Sequence, residues 1–377
     1  MKTGTLTLTN GGTIFTSANR NAGNINIDTS DAVIIDGISG AFSFLSTGGV
    51  GKGGNIQITT NSLTLSNGGQ LVADSFGKGN AGNIIVNADD AIRIDGVGSN
   101  GRASAVFSTV NPTAVGNGGN ITLTTDSLFL NRGGISSSSF GQGKAGDINI
   151  NSGSTTLDSR AGIGAITNSG DGGNINLTVD DLLLLRNGSQ ISTTAGTAQA
   201  GGDGGNIHID SKFIVAVPEE NSDITANAFT GTGGKVEINS QGIFGIESRK
   251  KPTEKSDITA SSEQGVSSGV ININAPDTSS IQNGFTQLSP VIDTNALIAN
   301  SCISRGTKRQ ENSFTITGSG ALTTNRPSVS VSTYTTGEVR GVETTSRPWK
   351  KGDPIIEPTG LYRLNNGQLL LSRECSN

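Results

Sequence analysis

Acidic side chains recur at one position of a repeating pattern, and their oxygen atoms are of the kind that binds calcium. Asp31, Asp90, Asp126 and Asp181 each lie two residues before a pair of alternating apolar residues, and Asn61 holds the same place in another repeat. Calcium takes carboxylate and amide oxygens as ligands. The plainer interpretation is a row of Asx turns that satisfy nearby backbone groups. The sequence therefore leaves a calcium row as a hypothesis beside a structural one.

Two glycine-rich segments, 77–82 and 141–146, match the G-x-G-x-x-G pattern of dinucleotide-binding loops. That pattern requires a strand before the glycines and a helix after them. Here an alternating, strand-like segment follows each match, and both matches have the same phase in the repeat. The sequence therefore predicts no nucleotide site.

Acid–base catalysis would need carboxylates gathered on one face of the fold. The adjacent pairs Asp89–Asp90 and Asp180–Asp181 would point to opposite faces of a strand, and His208 has no supporting partner recognisable in the sequence. We therefore expect a protein that is not an enzyme, with no catalytic residue, no cofactor and no resident metal. Enzymes that cleave polysaccharides with a β-helix remain the alternative.

Composition and charge limit the classes of partner. The chain has 377 residues, 55 of them glycine, with 32% hydrophobic and only 4% aromatic residues. Residues 302–377 carry 10 basic and 6 acidic residues, whereas residues 1–301 carry 16 basic and 25 acidic ones. An acidic surface repels nucleic acids, so the sequence predicts no nucleic-acid partner.

Three-residue motifs of the Gly-Asn-Ile type, here called words, recur every 27 to 37 residues from Gly23 to Gly269. This period determines the architecture. Residues 54–82 show one unit, with three short alternating segments, each ended by Gly, Asn or Ser. Segments joined only by corners leave no room for crossover helices. The pattern predicts an all-β, right-handed parallel β-helix with three strands per coil and about nine coils over residues 1–289.

Stacking of equivalent residues from coil to coil has two further consequences. The asparagines of the Gly-Asn-Ile words should form a ladder at one corner, made of Asn24, Asn55, Asn83, Asn120, Asn174 and Asn206. Two charged, proline-bearing segments, 217–220 and 247–255, should leave the rod at corners as loops, where binding faces often form. A stack of short antiparallel hairpins is the rival architecture, but long repeats in which two-residue Asn-Gly turns do not join each pair of segments count against it.

The repeat ends before Pro290, and residues 290–377 form a second predicted region, a cap or anchor with short strands. We expect a short helix within 290–302 and a hairpin over 361–371, where an Asn-Gly pair suits a two-residue turn.

The ordered words of this ending resemble those of filamentous-haemagglutinin-type exoproteins of the two-partner secretion pathway. The similar segments are 256–262, 270–274, 291–293, 297–299 with Cys302, 313–318 and 355–360, and the Gly-Asn-Ile coils also look like the repeats of that family. The resemblance spans most of the chain. It implies a non-catalytic, adhesin-like rod that is secreted or lies on the outer cell surface.

The same resemblance implies an outer-membrane transporter as partner during export and a surface or glycan ligand whose identity the sequence does not give. No signal peptide follows Met1 and the family's secretion domain is missing, so we expect a C-terminal fragment of a longer product. A contact-dependent toxin is a further alternative, although residues 302–377 carry no recognisable nucleophile set.

The two cysteines, Cys302 and Cys375, both lie in the last fifth of the chain. In an exported protein they would close a loop whose entropy contributes roughly 4–5 kcal/mol. We predict a disulfide between them, serving either as a plain cap of the rod or as a surface anchor.

Overall fold

The computed structural model describes residues 1–197, 199–265 and 267–276, together with the strands at 340–341, 360–363 and 369–372. The chain forms two compact units, Met1–Gly284 and Phe285–Asn377. The predicted boundary after residue 289 lies outside the described residues.

The first unit is a parallel β-helix, which confirms the predicted fold class. Its first sheet has ten parallel strands, in spatial order Lys2–Leu8 (β1), Ile25–Asp36 (β3), Ile56–Ser66 (β5), Ile84–Asp95 (β7), Ile121–Asn131 (β9), Ile148–Asp158 (β11), Ile175–Leu185 (β13), Ile207–Ala216 (β15), Lys235–Phe244 (β17) and Val270–Asn274 (β20). Consecutive members come from consecutive coils. Nine steps at the usual strand spacing of about 4.8 Å give a length of about 43 Å.

The second sheet also takes one strand from almost every coil. Its members are Thr13–Ala18 (β2), Gly40–Leu45 (β4), Gln70–Val72 (β6), Ala105–Phe107 (β8), Gly134–Ser136 (β10), Gly162–Gly164 (β12), Gln190–Ser192 (β14), Asp223–Thr225 (β16), Asp257–Thr259 (β19) and Glu247–Ser248 (β18). Isolated parallel bridges such as Ser75–Val110 and Ala195–Ala228 extend this pairing beyond the strand ends. One turn of 3₁₀ helix, Pro218–Glu220, precedes β16.

The first two predicted segments of each coil are joined into one bent strand. The strand β5, for example, runs over 11 residues through both Ile56 and Leu65, and its register with β7 shifts between Thr60 and Ser62. At the bend a buried hydroxyl replaces a turn, because Thr60 Oγ1 donates to the Ser62 carbonyl at 3.0 Å. Ser211 makes the same bond to the Phe213 carbonyl at 2.9 Å. The bend therefore needs no residue with positive φ.

Left-handed residues lie instead at the corner between the bent strand and the second sheet. Asn67 and Asn187 have φ values of 51° and 52° there, each followed by a glycine that also has positive φ. Asparagine and glycine adopt this conformation at low cost. The prediction of Gly and Asn corners is thus confirmed at this corner, which turns the chain towards the second sheet.

The core is a stack of single apolar residues from each straight segment. Along the first segment Ile56, Ile84 and Ile121 pair in register and are fully buried. Leu71 and Val106 stack in the same way beneath the second sheet. Each such side chain contributes roughly 1.5–3 kcal/mol through burial, so a thin coil with few aromatic residues still holds a continuous core.

In the second unit, Gly360–Arg363 (β22) pairs antiparallel with Leu369–Ser372 (β23), as the predicted hairpin requires. Arg340–Gly341 (β21) pairs parallel with β22. The turn at 364–368, the predicted helix at 290–302, and Cys302 and Cys375 lie outside the described residues. No helix in the described part of the chain combines the length and apolarity needed to cross a membrane.

Candidate functional site

The asparagines of the Gly-Asn-Ile words form one uninterrupted hydrogen-bonded ladder at a corner of the β-helix. The backbone N–H of each member donates to the side-chain Oδ1 of its equivalent one coil earlier, at 2.8 to 3.1 Å. In order, the members are Asn24, Asn55, Asn83, Asn120, Asp147, Asn174, Asn206 and Lys235. All six asparagines proposed from the sequence are included. The ladder satisfies backbone donors that have no sheet partner at this corner.

The glycine before each asparagine is required by close stacking. A Cβ atom on Gly119 would lie 2.2 Å from the carbonyl oxygen of Gly82, and one on Gly82 would lie 2.0 Å from that of Gly54. These carbonyls belong to the preceding coil. Glycine therefore recurs here because only its bare Cα lets consecutive coils approach closely.

A second ladder, which sequence reasoning missed, runs parallel to the first. Its acceptors are the side-chain oxygens of Asn21, Asn80, Asn117, Asp171 and Asp203, and its donors are the backbone N–H groups of Lys52, Asn117, Lys144, Asp203 and Thr232. Every one of these residues lies three positions before a residue of the first ladder, so the same repeat carries the signal. The ladder is interrupted where lysine replaces asparagine.

A shallow groove of about 480 Å³ lies between the two ladders, over a floor that includes Gly53, Ala81 and Gly118. The ladders already engage the side-chain carbonyls of Asn80, Asn83 and Asn117. Mainly amide N–H groups and Lys52 remain available to a ligand there. We interpret this amide-lined groove as a structural seam of the β-helix.

The aspartates of the proposed calcium row lie at the bends of the first sheet, as predicted, and all four are exposed. Asp181 forms an ion pair with Lys212 at 3.2 Å. Among the described residues, no three His, Cys, Asp or Glu side chains come close enough together to hold a metal ion. The exposed aspartates thus give calcium no cage of converging oxygens.

His208 does have a partner, contrary to what the sequence suggested. Its Nε2 lies 3.0 Å from Oδ2 of Asp210, two residues along the same strand face. Asp210 also accepts a hydrogen bond from Asn239 of the next coil at 2.7 Å. This bond and the contact with His208 lower the pKa of Asp210. Both side chains are about two-fifths exposed. His208 is flanked in register by Asn176 and Glu237, and neither of these is a nucleophile of the catalytic-triad kind.

The two predicted charged loops are attached to the rod by ion pairs. Glu220 accepts two hydrogen bonds from the Arg186 guanidinium, at 2.7 and 2.8 Å. This contact lowers the pKa of Glu220. Lys255 of the second loop lies 3.0 Å from Glu219 of the first. The loops are therefore bound to the β-helix and to each other.

A fully buried carboxylate, Asp257, fastens the second loop. Arg249 forms an ion pair with its Oδ1, and Thr253 donates to its Oδ2 from the backbone N–H and from Oγ1, the latter at 2.8 Å. The Asp257 N–H donates to Asp223 at 2.9 Å. Burial raises the pKa of Asp223. The segments 222–226 and 256–260, which share the sequence Ser-Asp-Ile-Thr-Ala, thus stack on each other, with Ile224 beside Ile258.

No protein-family model, curated protein or solved structure matches this chain. The interpretation of its function therefore depends on the geometry of the β-helix and its loops.

We expect substitution of a central ladder residue to weaken the corner measurably. In Asn83→Ala the backbone N–H of Asn120 loses its acceptor, which should lower the free energy of unfolding by about 1 kcal/mol. Asn83→Asp retains an acceptor oxygen, as Asp147 does naturally, and should lose less. Urea unfolding followed by circular dichroism measures both, and equal losses in the two variants would contradict the assigned role.

We also expect Asp74 to make stability depend on pH. Its Oδ1 accepts two hydrogen bonds from Thr109, both at 2.8 Å, but burial raises its pKa to about 6. Folding disfavours the charged form of Asp74. The contribution of Asp74 to stability is therefore fully present below about pH 4 and is lost as the pH rises through 6. The rise of the Asp74 pKa to about 6 lowers the free energy of unfolding at pH 7 by at most about 3 kcal/mol.

Asp74→Asn keeps the acceptor oxygen and removes the charge. The variant should match the parent at pH 4 and exceed its free energy of unfolding at pH 7 by about 1–3 kcal/mol. Denaturant unfolding at both pH values measures this difference. A variant less stable than the parent at pH 7 would contradict the assignment.

Proposed function

We propose that the chain is the rod of a secreted or cell-surface exoprotein of the filamentous-haemagglutinin type, with a structural and adhesin-like role and no catalytic activity. Export would use an outer-membrane transporter as partner. The partner contacted at the cell surface would be another cell or a glycan.

The observation that carries this proposal is the continuous parallel pairing of the first sheet, together with a corner ladder that runs through eight consecutive coils. Ten strands and eight ladder residues repeat one arrangement, with bare glycines that allow close stacking. A regular stack of this kind extends a surface over about 43 Å. Such a scaffold suits display and spacing better than a single reaction centre.

Several charged groups, moreover, are committed to holding the coils together. Asp147, Asp171 and Asp203 accept ladder hydrogen bonds, and Asp257 holds a loop. These carboxylates are acceptors for neighbouring backbone and cationic groups, which supports a structural role for them.

Protease treatment of intact source cells tests the location. Peptides from residues 1–276 should be released by the protease and identified by mass spectrometry, while a cytoplasmic marker protein stays intact. Recovery of those peptides only after cell lysis would overturn the proposal. Beads coated with the full chain should in addition adhere to cells more than beads coated with albumin.

Polysaccharide binding is a second candidate function, favoured by a separate pocket of about 600 Å³ beside the loop at 247–255. A glycan array probed with the full chain tests binding. Release of unsaturated or reducing ends from uronate polymers would instead indicate a polysaccharide-cleaving enzyme.

A further inference from the structure

The pocket beside the second loop, here named the loop pocket, is built on three consecutive coils. Its floor includes Ala195, Ala228 and Ser262, which are linked by parallel bridges. Phe229 and Glu263 directly follow two of these bridge residues, and Lys251 and Pro252 of the loop form one wall. The pocket volume of about 600 Å³ falls within the ~300–1,000 Å³ typical of small-molecule sites.

The loop wall is held in place before any ligand arrives. Lys251 and Pro252 lie between Arg249 and Thr253, and both of these flanking residues are bonded to the buried carboxylate of Asp257. The Arg249 N–H also donates to the carbonyl of Ile258 at 3.0 Å. A wall anchored on both sides loses little conformational entropy on binding, which favours affinity.

The groups that line the loop pocket suit a ligand with many hydroxyl groups and no net charge. Lys251 and Glu263 have no ion-pair partner within the described part of the chain, and their opposite charges cancel. The side-chain Oδ1 of Asn227 accepts the Ser261 N–H at 2.7 Å, which leaves the side-chain N–H groups of Asn227 to donate. Phe229 adds an apolar surface for the C–H face of a sugar ring.

We propose that the loop pocket binds a neutral oligosaccharide, with Phe229 packing against a sugar ring and with Lys251, Asn227 and Glu263 hydrogen-bonding its hydroxyl groups. This proposal extends the polysaccharide-binding candidate and gives it a place and a ligand class. It does not depend on where the chain is located in the cell.

Isothermal titration calorimetry of the full chain with cellotetraose, laminaritetraose, maltotetraose and chitotetraose tests the proposal, with tetragalacturonate as the charged probe. At least one neutral tetrasaccharide should bind. Glu263→Gln and Phe229→Ala should each weaken that binding at least about tenfold. Gln57→Ala, an exposed position of the first sheet, should leave it unchanged.

Lys251→Met, on an exposed loop position, tests the loop wall of the pocket without threatening the fold. It should weaken neutral-sugar binding as well. The proposal is overturned if none of the neutral probes binds, if only tetragalacturonate binds, or if the pocket variants bind as tightly as the parent. A titration that fails while protease still releases peptides from intact cells would reject the loop pocket as a sugar site and would retain the proposed rod function.

Discussion

Gly119→Ala is expected to lower the free energy of unfolding by about 3 kcal/mol or more, the upper range for overpacking a tight site. The new methyl group would lie 2.2 Å from the Gly82 carbonyl oxygen and 2.5 Å from Ser108 Oγ. Neither atom has free space to move into, because Ser108 itself donates to that carbonyl at 2.6 Å. The coils would have to separate at the corner, which would strain the ladder bond between Asn83 and Asn120 as well.

Gly162→Ala is the matched control. A Cβ atom there would meet no atom within 4 Å, and the residue lies in the short strand β12. Alanine should be neutral or stabilise by up to about 1 kcal/mol, since it reduces the freedom of the unfolded chain. Chemical unfolding of both variants gives the comparison, and equal stabilities would show that coil spacing does not depend on the glycine corner.

Arg249→Ala is expected to lower the free energy of unfolding by about 3 kcal/mol, because it leaves the buried carboxylate of Asp257 without its cation. The loss should lie at the lower end of the range for buried pairs because the Arg249 side chain is itself a quarter exposed. The loop at 247–255 should also become sensitive to proteolysis, since Arg249 is one of its anchors. Thermal and denaturant unfolding, with limited trypsin digestion, measure the two effects.

Two further variants show whether the buried charge is the cause. Adding Asp257→Asn to Arg249→Ala removes that charge and should recover part of the lost stability. Lys212→Ala breaks the exposed pair with Asp181, in which both side chains are 45% or more exposed, and should cost no more than about 1 kcal/mol. Similar losses for Arg249→Ala and Lys212→Ala would contradict the assigned role of burial.

Much of the β-helix was predictable because each coil repeats one local pattern. Ile56 and Ile58 alternate with polar residues and end at corners, so their inward direction follows from the period of a strand. Asn55 has equivalents in the neighbouring coils, Asn24 and Asn83, so its place in a ladder follows from stacking alone. The second ladder, through Asn80, was equally open to prediction, since its three-residue offset from Asn83 is constant.

Two other features are contacts between residues only two apart, which the alternation of apolar and polar residues does not indicate. The bend at Thr60 depends on a hydroxyl turned inward to a carbonyl, whereas the sequence suggested an ordinary corner. His208 gained Asp210 as a partner because residues two apart share a face and no inserted corner separates them.

The sequence by itself determined the period, the inward-facing residues, the glycine and asparagine corner and the positions of the two charged loops. These depend on side-chain alternation within one coil and on the repetition of the same pattern from coil to coil. Only the tertiary structure decided that Asp257 is buried while Asp181 is exposed, and that the second loop closes a pocket against Phe229. Burial and charge pairing depend on which coils and loops stack on a residue, and that register is set between segments about thirty residues apart.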